Sequence, residues 1–170
     1  MTGRTVRRHK IGGKLREKVV LTDDSPRGCQ LTIMPDGHHS AAQEKPLVLV
    51  VDDSERIQAD ARRVLEPMGF AVMTAGDGEA GMSLAVRHHP ALVLLDWSLP
   101  GMSGVDFLRT LRAVPGYETT QVMVCSGHGR PADIHLAMRA GASEYILKPF
   151  DPELLAFKLR QVGLLAPQRG

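Results

Sequence analysis

Five side chains able to hold a metal ion or a phosphoryl group each stand directly after a short apolar run in this chain of 170 residues. Asp52 and Asp53 follow Leu47-Val48-Leu49-Val50-Val51, and Asp96 follows Leu92-Val93-Leu94-Leu95. Ser126 follows the run that ends at Cys125, and Lys148 follows Glu144-Tyr145-Ile146-Leu147. An aspartate after a strand is often only a turn residue. Three carboxylates, a hydroxyl and an ammonium at successive run ends need a joint explanation. Carboxylates brought together repel one another and raise each other's pKa unless a cation compensates. Mg²⁺ suits such a group, because it prefers oxygen ligands, takes one or two carboxylates and keeps several waters.

The elements that must position these residues alternate regularly from Pro46 onward. The run at 47–51 is uninterrupted and apolar, as expected of a strand buried on both faces. Ile57, Ala61, Val64, Leu65 and Met68 then recur at helical spacing, with Ser54 placed to cap and Pro67 and Gly69 to stop the helix. The same reading predicts strands at 70–74, 92–95, 121–125 and 144–147. Helices are predicted at 77–88, 105–113, 131–140 and from Pro152 to about Val162. Five strands alternating with five helices imply a doubly wound α/β domain, with a parallel sheet and helices on both faces. In such folds the site lies at the carboxyl ends of the strands, where the five residues would converge.

The remaining sequence narrows the function. Residues 1–45 carry nine Lys and Arg against five Asp and Glu, whereas 46–170 carry twelve against fourteen. The first segment lacks sustained periodicity and reads as a flexible, weakly basic extension, in which Met34 could be the true start. Only Lys18–Thr22 suggests a strand there. Its acids are interspersed and it has no aromatic residue to stack on bases, so nucleic acid is not the expected partner. Two cysteines, Cys29 and Cys125, cannot form a disulfide framework, and Cys125 should be a buried thiol. No apolar run is long enough to span a membrane and no secretory signal opens the chain, so a reducing cytoplasm is expected.

The motifs VVDDS, LLDWSLPGMSG, VCSGHG and YILKPF, in this order, resemble the response-regulator receiver domain of bacterial two-component systems over about 46–163. Ser126 lies 30 residues after Asp96 and Lys148 lies 52 after it, in agreement with that pattern. The resemblance implies a flavodoxin-like fold with strand order 2-1-3-4-5. It also implies a switch phosphorylated on Asp96 by a histidine kinase or a histidine phosphotransfer protein. Asp53, Asp96 and the backbone carbonyl of Ser98 would bind Mg²⁺ directly, with Asp52 acting through water. Lys148 would pair with a phosphoryl oxygen, Ser126 would shift to bond the attached group, and Gly127 would leave room for it. Tyr145 matches the switch aromatic, Lys148-Pro149 the family's cis peptide, and Pro100, Gly101 and Gly104 its tight loop. Ser98 and His128 fall where side chains flank the path of attacking water and tune phosphoryl lifetime.

A competing motif is Gly76-Asp77-Gly78-Glu79-Ala80-Gly81, a G-x-G-x-x-G after a strand with Asp96 about 20 residues on. A dinucleotide-binding enzyme would set pyrophosphate at this helix start, where Asp77 and Glu79 oppose it. The plainer reading is a helix start with acids in its first turn. His88-His89 point apart on a helix and make a poor chelate; both are expected to face solvent.

Only Gly163 to Gly170 follow Val162, so a stand-alone receiver with a short tail at 164–170 is expected, without enzymatic output beyond its own phosphorylation. In the last helix Leu155, Leu159 and Val162 form a core stripe, while Leu154, Phe157, Leu164 and Leu165 form a second apolar flank. That flank predicts a downstream protein or dimer contact, on the family's surface of fourth helix, fifth strand and fifth helix. A carrier or phosphate sink trading phosphoryl groups between histidine-containing proteins is the alternative.

Overall fold

The computed structural model describes Val6–Ile11, Lys14–Val19 and residues 45–167. Contacts divide the chain into two units, Met1–Ser40 and Ala41–Gly170.

In the first unit β1 (Val6–Ile11) and β2 (Lys14–Val19) pair antiparallel, with Arg7 opposite Lys18 and Ile11 opposite Lys14. The expectation of an extension without regular structure therefore fails over these two strands. Gly12-Gly13 is a two-residue glycine link of the kind that favours hairpins. The flanking charges hid the strands, because they leave no apolar alternation to read. The rest of that expectation, with Met34 and Cys29, lies outside the described residues.

The second unit is built from β3 (Leu47–Val51), α1 (Glu55–Leu65), β4 (Ala71–Ala75), α2 (Gly78–His88), β5 (Leu92–Asp96), α3 (Gly104–Ala113), β6 (Gln121–Ser126), α4 (Pro131–Arg139), β7 (Glu144–Leu147) and α5 (Pro152–Gln161). Its five strands lie parallel in the order β4-β3-β5-β6-β7, which is 2-1-3-4-5 counted within the unit.

Strand residues alternate between two cores. Leu49, Val51, Val93, Leu95, Val122 and Val124 face Ala85 of α2, Phe107, Leu108 and Leu111 of α3, and Ala137 of α4. Val48, Val50, Leu92, Leu94, Met123 and Cys125 face Ala61 and Leu65 of α1 and Leu155 and Leu159 of α5. The sheet is thus covered on both sides, as unbroken apolar strands require.

Caps set the helix ends. Ser54 Oγ accepts from the Ile57 N–H at 3.4 Å, and Asp77 Oδ1 from the Ala80 N–H at 2.7 Å. The second and third glycines of the G-x-G-x-x-G segment, Gly78 and Gly81, are packing residues. A Cβ on Gly81 would lie 2.8 Å from Val51, and one on Gly78 2.9 Å from Met102. With Asp77 at the helix start, this segment seats α2 against the sheet and leaves the dinucleotide reading without support.

The chain's end departs from expectation. The N–H groups of Leu164 and Leu165 donate to the Leu159 carbonyl after a left-handed turn at Gly163 (φ +77°), and both leucines pack against the α1–α5 core. They do not continue the flank of Leu154 and Phe157, because the glycine turn folds them inward. Residues 164 and 165 thus belong to the folded unit rather than to a tail.

Candidate functional site

Parallel strands end at one edge of the sheet, so the residues after each apolar run meet there. Asp96 closes β5 and Ser126 closes β6, while Asp52 and Lys148 directly follow β3 and β7. Asp52, Asp96 and Ser126 are 2%, 7% and 4% exposed, and among the described residues they are the buried polar side chains. Asp53 is exposed. Asp52, Asp53 and Asp96 each offer a carboxylate oxygen, and these atoms lie within 4.8 Å of one another.

Lys148 is inserted into this group. Its ammonium lies 2.9 Å from Asp96 Oδ1 and 2.5 Å from Asp52 Oδ2. The Lys148 N–H donates to the Ser126 carbonyl at 2.8 Å, and the Lys148-Pro149 peptide is cis, as the family pattern implies. Burial pushes the Asp52 carboxyl above its ordinary value, although Lys148 and the Ser54 N–H pull against that. For Lys148, burial favours losing the proton, but the bonds to Asp52 and Asp96 outweigh it and raise its pKa. Burial pushes the Cys125 thiol far above its ordinary range, so this side chain is an inert neighbour.

The donor set fits Mg²⁺. It is all oxygen, with three carboxylates clustered against one ammonium, and it offers no thiolate or imidazole for a softer metal.

The backbone around Asp96 leaves little freedom. The Trp97 N–H donates to the Cys125 carbonyl at 2.9 Å, and the Gly104 N–H to the Trp97 carbonyl at 3.2 Å. A Cβ on Gly104 would lie 2.6 Å from the Asp96 carbonyl oxygen, so only glycine permits this approach of α3. Gly101 occupies a left-handed conformation at φ +78° in the loop between.

The other predicted residues surround the edge. Ser98 and His128 are exposed on the loops after β5 and β6. Ser126 Oγ accepts from the His128 N–H at 3.1 Å, and the Tyr145 hydroxyl donates to the His128 carbonyl at 2.8 Å. Tyr145 is half-buried on β7. Leu154 and Phe157 stand away from the edge on α5, 41% and 52% exposed.

Sequence reasoning missed two supporting groups. Gln58 of α1 donates through Nε2 to the Asp52 carbonyl at 2.7 Å and to the Ala75 carbonyl at 3.4 Å, tying the ends of β3 and β4 together. Its only sequence signal was a polar residue one turn into a helix beside the site. Tyr117, 1% exposed, donates to the Ala85 carbonyl at 2.7 Å and meets His89 Nδ1 at 2.9 Å. His89 itself is exposed but does not simply face solvent: it caps α2 at φ +46° and stacks on Tyr117.

Among the described residues no helix is long and apolar enough to cross a membrane. The family model for the response regulator receiver domain matches residues 48–160. The transcriptional regulatory protein KdpE of Mycobacterium tuberculosis is 40% identical over 114 residues, covering 67% of this chain and 49% of that protein. The DNA-binding response regulator MtrA of Mycobacterium leprae is 36% identical over 113 residues, with 66% and 49% covered. The chain spans about half the length of these curated relatives. Among solved structures, the chemotaxis protein CheY4 of Vibrio cholerae superposes with a TM-score of 0.66 at 29% identity, covering 69% of this chain and 98% of that one. A CheY-like receiver domain protein of Methanospirillum hungatei gives 0.63 at 26% identity, with 68% and 91% covered. The matched model, these relatives and the strand order agree: this chain belongs to the response regulator receiver domain family of two-component, phosphorylation-dependent signalling.

Proposed function

We propose that Asp96 accepts a phosphoryl group from a phosphohistidine on a kinase or phosphotransfer protein, and that the resulting aspartyl phosphate switches a protein-binding surface. One observation carries this reading: Asp96, 7% exposed, shares a 4.8 Å carboxylate cluster with Asp52 and Asp53 while Lys148 lies 2.9 Å from its oxygen.

Asp53, Asp96 and the Ser98 backbone carbonyl would hold Mg²⁺, with Asp52 acting through water. Bound there, the ion supplies positive charge that lets an anionic acceptor approach an anionic donor. Asp96 provides the nucleophilic oxygen: a P–O bond forms to it as the donor's P–N bond breaks, and the released imidazole takes up a proton. Lys148 presents its ammonium to the transferred oxygens as a point charge. Asp52 holds that ammonium at the site edge until the phosphoryl group competes for it.

Ser126 would donate its hydroxyl proton to the attached phosphoryl group. Its Oγ now accepts from the His128 N–H, and Tyr145 holds the His128 carbonyl, so a shift of Ser126 pulls on this loop and on β7. Switching then reaches the face where Leu147, Leu154 and Phe157 stand 49%, 41% and 52% exposed. Ser98 and His128, exposed beside the acceptor, set how readily water reaches the phosphoryl group.

The test is incubation of the purified chain with acetyl phosphate, with and without Mg²⁺, alongside Asp96→Asn. A gain of one phosphoryl mass that needs the metal and vanishes in the variant supports the reading. No gain from acetyl phosphate or from a phosphorylated histidine kinase, together with no beryllofluoride binding, would overturn it.

A further inference from the structure

A second polar feature lies away from the phosphorylation edge, between α3 and α4. A groove of about 460 Å³ is lined by Arg109 of α3 and by Ala132, His135, Leu136, Arg139 and Ala140 along one face of α4. Those α4 positions recur at three- and four-residue steps, so they form a continuous wall. Among the described residues, neither arginine lies within 4.0 Å of a carboxylate. The acids on the two helices are engaged elsewhere. Asp106 accepts from the Ser103 hydroxyl at 2.6 Å, and Asp133 is paired with Arg130 at 2.8 Å. Two guanidinium groups and an imidazole thus share one groove without an acidic partner among the described residues, in a segment (46–170) where acids outnumber Lys and Arg.

The walls are fixed to each other. Arg112, three residues after Arg109, donates through Nε and Nη2 to the Gly141 carbonyl at 3.1 and 2.8 Å, and through Nη1 to the Tyr117 carbonyl at 2.6 Å. This guanidinium braces the last turn of α3 against the residue that follows the α4 cap. A groove braced in this way keeps its two walls at a fixed spacing, so the ordering cost of binding falls mainly on the exposed side chains.

The groove's chemistry selects its occupant. Arginine forks suit carboxylates, which they bind with paired charge-assisted hydrogen bonds. Ala132 and Ala140 are small, and Leu136 is 39% exposed between the charged groups, so an apolar side chain also has a seat. A bare phosphate would not use that apolar strip, and among the lining residues no phenyl or indole ring offers a stacking surface for a base. We propose that the α3–α4 groove docks an acidic segment of a partner protein, with carboxylates on Arg109 and Arg139 and an apolar residue over Leu136. The proposal goes beyond the phosphorylation reading and does not depend on it.

The test uses the full chain and a labelled glutamate-rich peptide with a central leucine, beside the same peptide with lysine in place of glutamate. Binding is followed by fluorescence anisotropy and by backbone amide shifts. The expected result is binding of the acidic peptide alone, with shifts at Arg109, His135, Leu136 and Arg139. Arg109→Glu and Arg139→Glu should each weaken it about tenfold, the loss expected for one charge-assisted contact. Arg109→Gln, which carries no new charge, should weaken it less and melt as the parent does. Absence of binding, shifts confined to another face, or charge reversal without effect would overturn the proposal. So would displacement of the peptide by equal concentrations of inorganic phosphate or duplex DNA, which would make the groove a general anion patch.

Discussion

The Lys148 ammonium is held 2.5 Å from Asp52 Oδ2, closer than the 2.9 Å that separates it from Asp96 Oδ1. Asp52 was expected to serve the metal alone. Its second task is to hold the lysine, and it does so at a cost, because burial outweighs that attraction and raises its pKa above 3.8. The folded chain therefore binds a proton at Asp52 more tightly than the unfolded chain does. Stability is lost from this group as pH rises from 3.8 through the raised folded value. Measured without divalent cations, Asp52→Asn should gain roughly 0.5–2 kcal/mol at about pH 7 while losing Mg²⁺ affinity. The gain should vanish below pH 3.8, where both proteins are neutral at this position. Paired thermal melts check this; a less stable variant at neutral pH would mean that the Lys148 attraction dominates.

Gly104 and Gly127 should respond in opposite ways to one added methyl. A Cβ on Gly104 meets backbone, 2.6 Å from the Asp96 oxygen, whereas one on Gly127 meets nothing within 4 Å. Gly104→Ala should lose about 3 kcal/mol or more and slow phosphorylation by displacing Asp96, and Gly127→Ala should stay within about 0.5 kcal/mol. Urea denaturation of the two variants decides this. Similar midpoints would show that the turn beneath Asp96 yields easily.

Tyr117→Phe removes a buried hydroxyl that serves the Ala85 carbonyl and His89 at once. The expected loss is about 1–2 kcal/mol, with the acetyl phosphate reaction unchanged because the residue lies off the site. His89→Ala should recover part of that loss when combined with Tyr117→Phe, giving a measurable coupling in a double-mutant cycle.

Leu154→Ala and Phe157→Ala remove side chains that are 41% and 52% exposed. Each should change folding stability by under about 1 kcal/mol, while together they weaken partner binding or self-association of the phosphorylated chain. Sedimentation and titration with a cognate kinase or target provide the readout. Unchanged binding by the double variant would place the output surface elsewhere.

The sheet was legible because parallel strands buried on both faces must be uninterrupted apolar runs, and β3, β5 and β6 are. Asp52, Asp96, Ser126 and Lys148 were legible for the same reason, since whatever follows such a run stands at the site edge. The hairpin of β1 and β2 was not, because cross-strand pairing between charged residues leaves no apolar period. The inward fold of Leu164 and Leu165 depends on the backbone sign at Gly163, which a helical projection does not carry. The ties made by Gln58, Arg112 and Tyr117 are side chain to backbone bonds across 5 to 32 residues, and spacing along the chain does not encode them.

Asp96 and Ser126 are buried and Lys148 is half-buried against Asp96, whereas Ser98 and His128 stand in solvent beside them. Exposed positions tolerate replacement within about 0.5 kcal/mol, while the buried group does not. If the two loop residues govern hydrolysis as proposed, a lineage can reset how long a message persists without rebuilding the machinery that writes it. Memory and writing are then separately heritable, and the duration of a response becomes the trait on which selection can act with least risk to the fold.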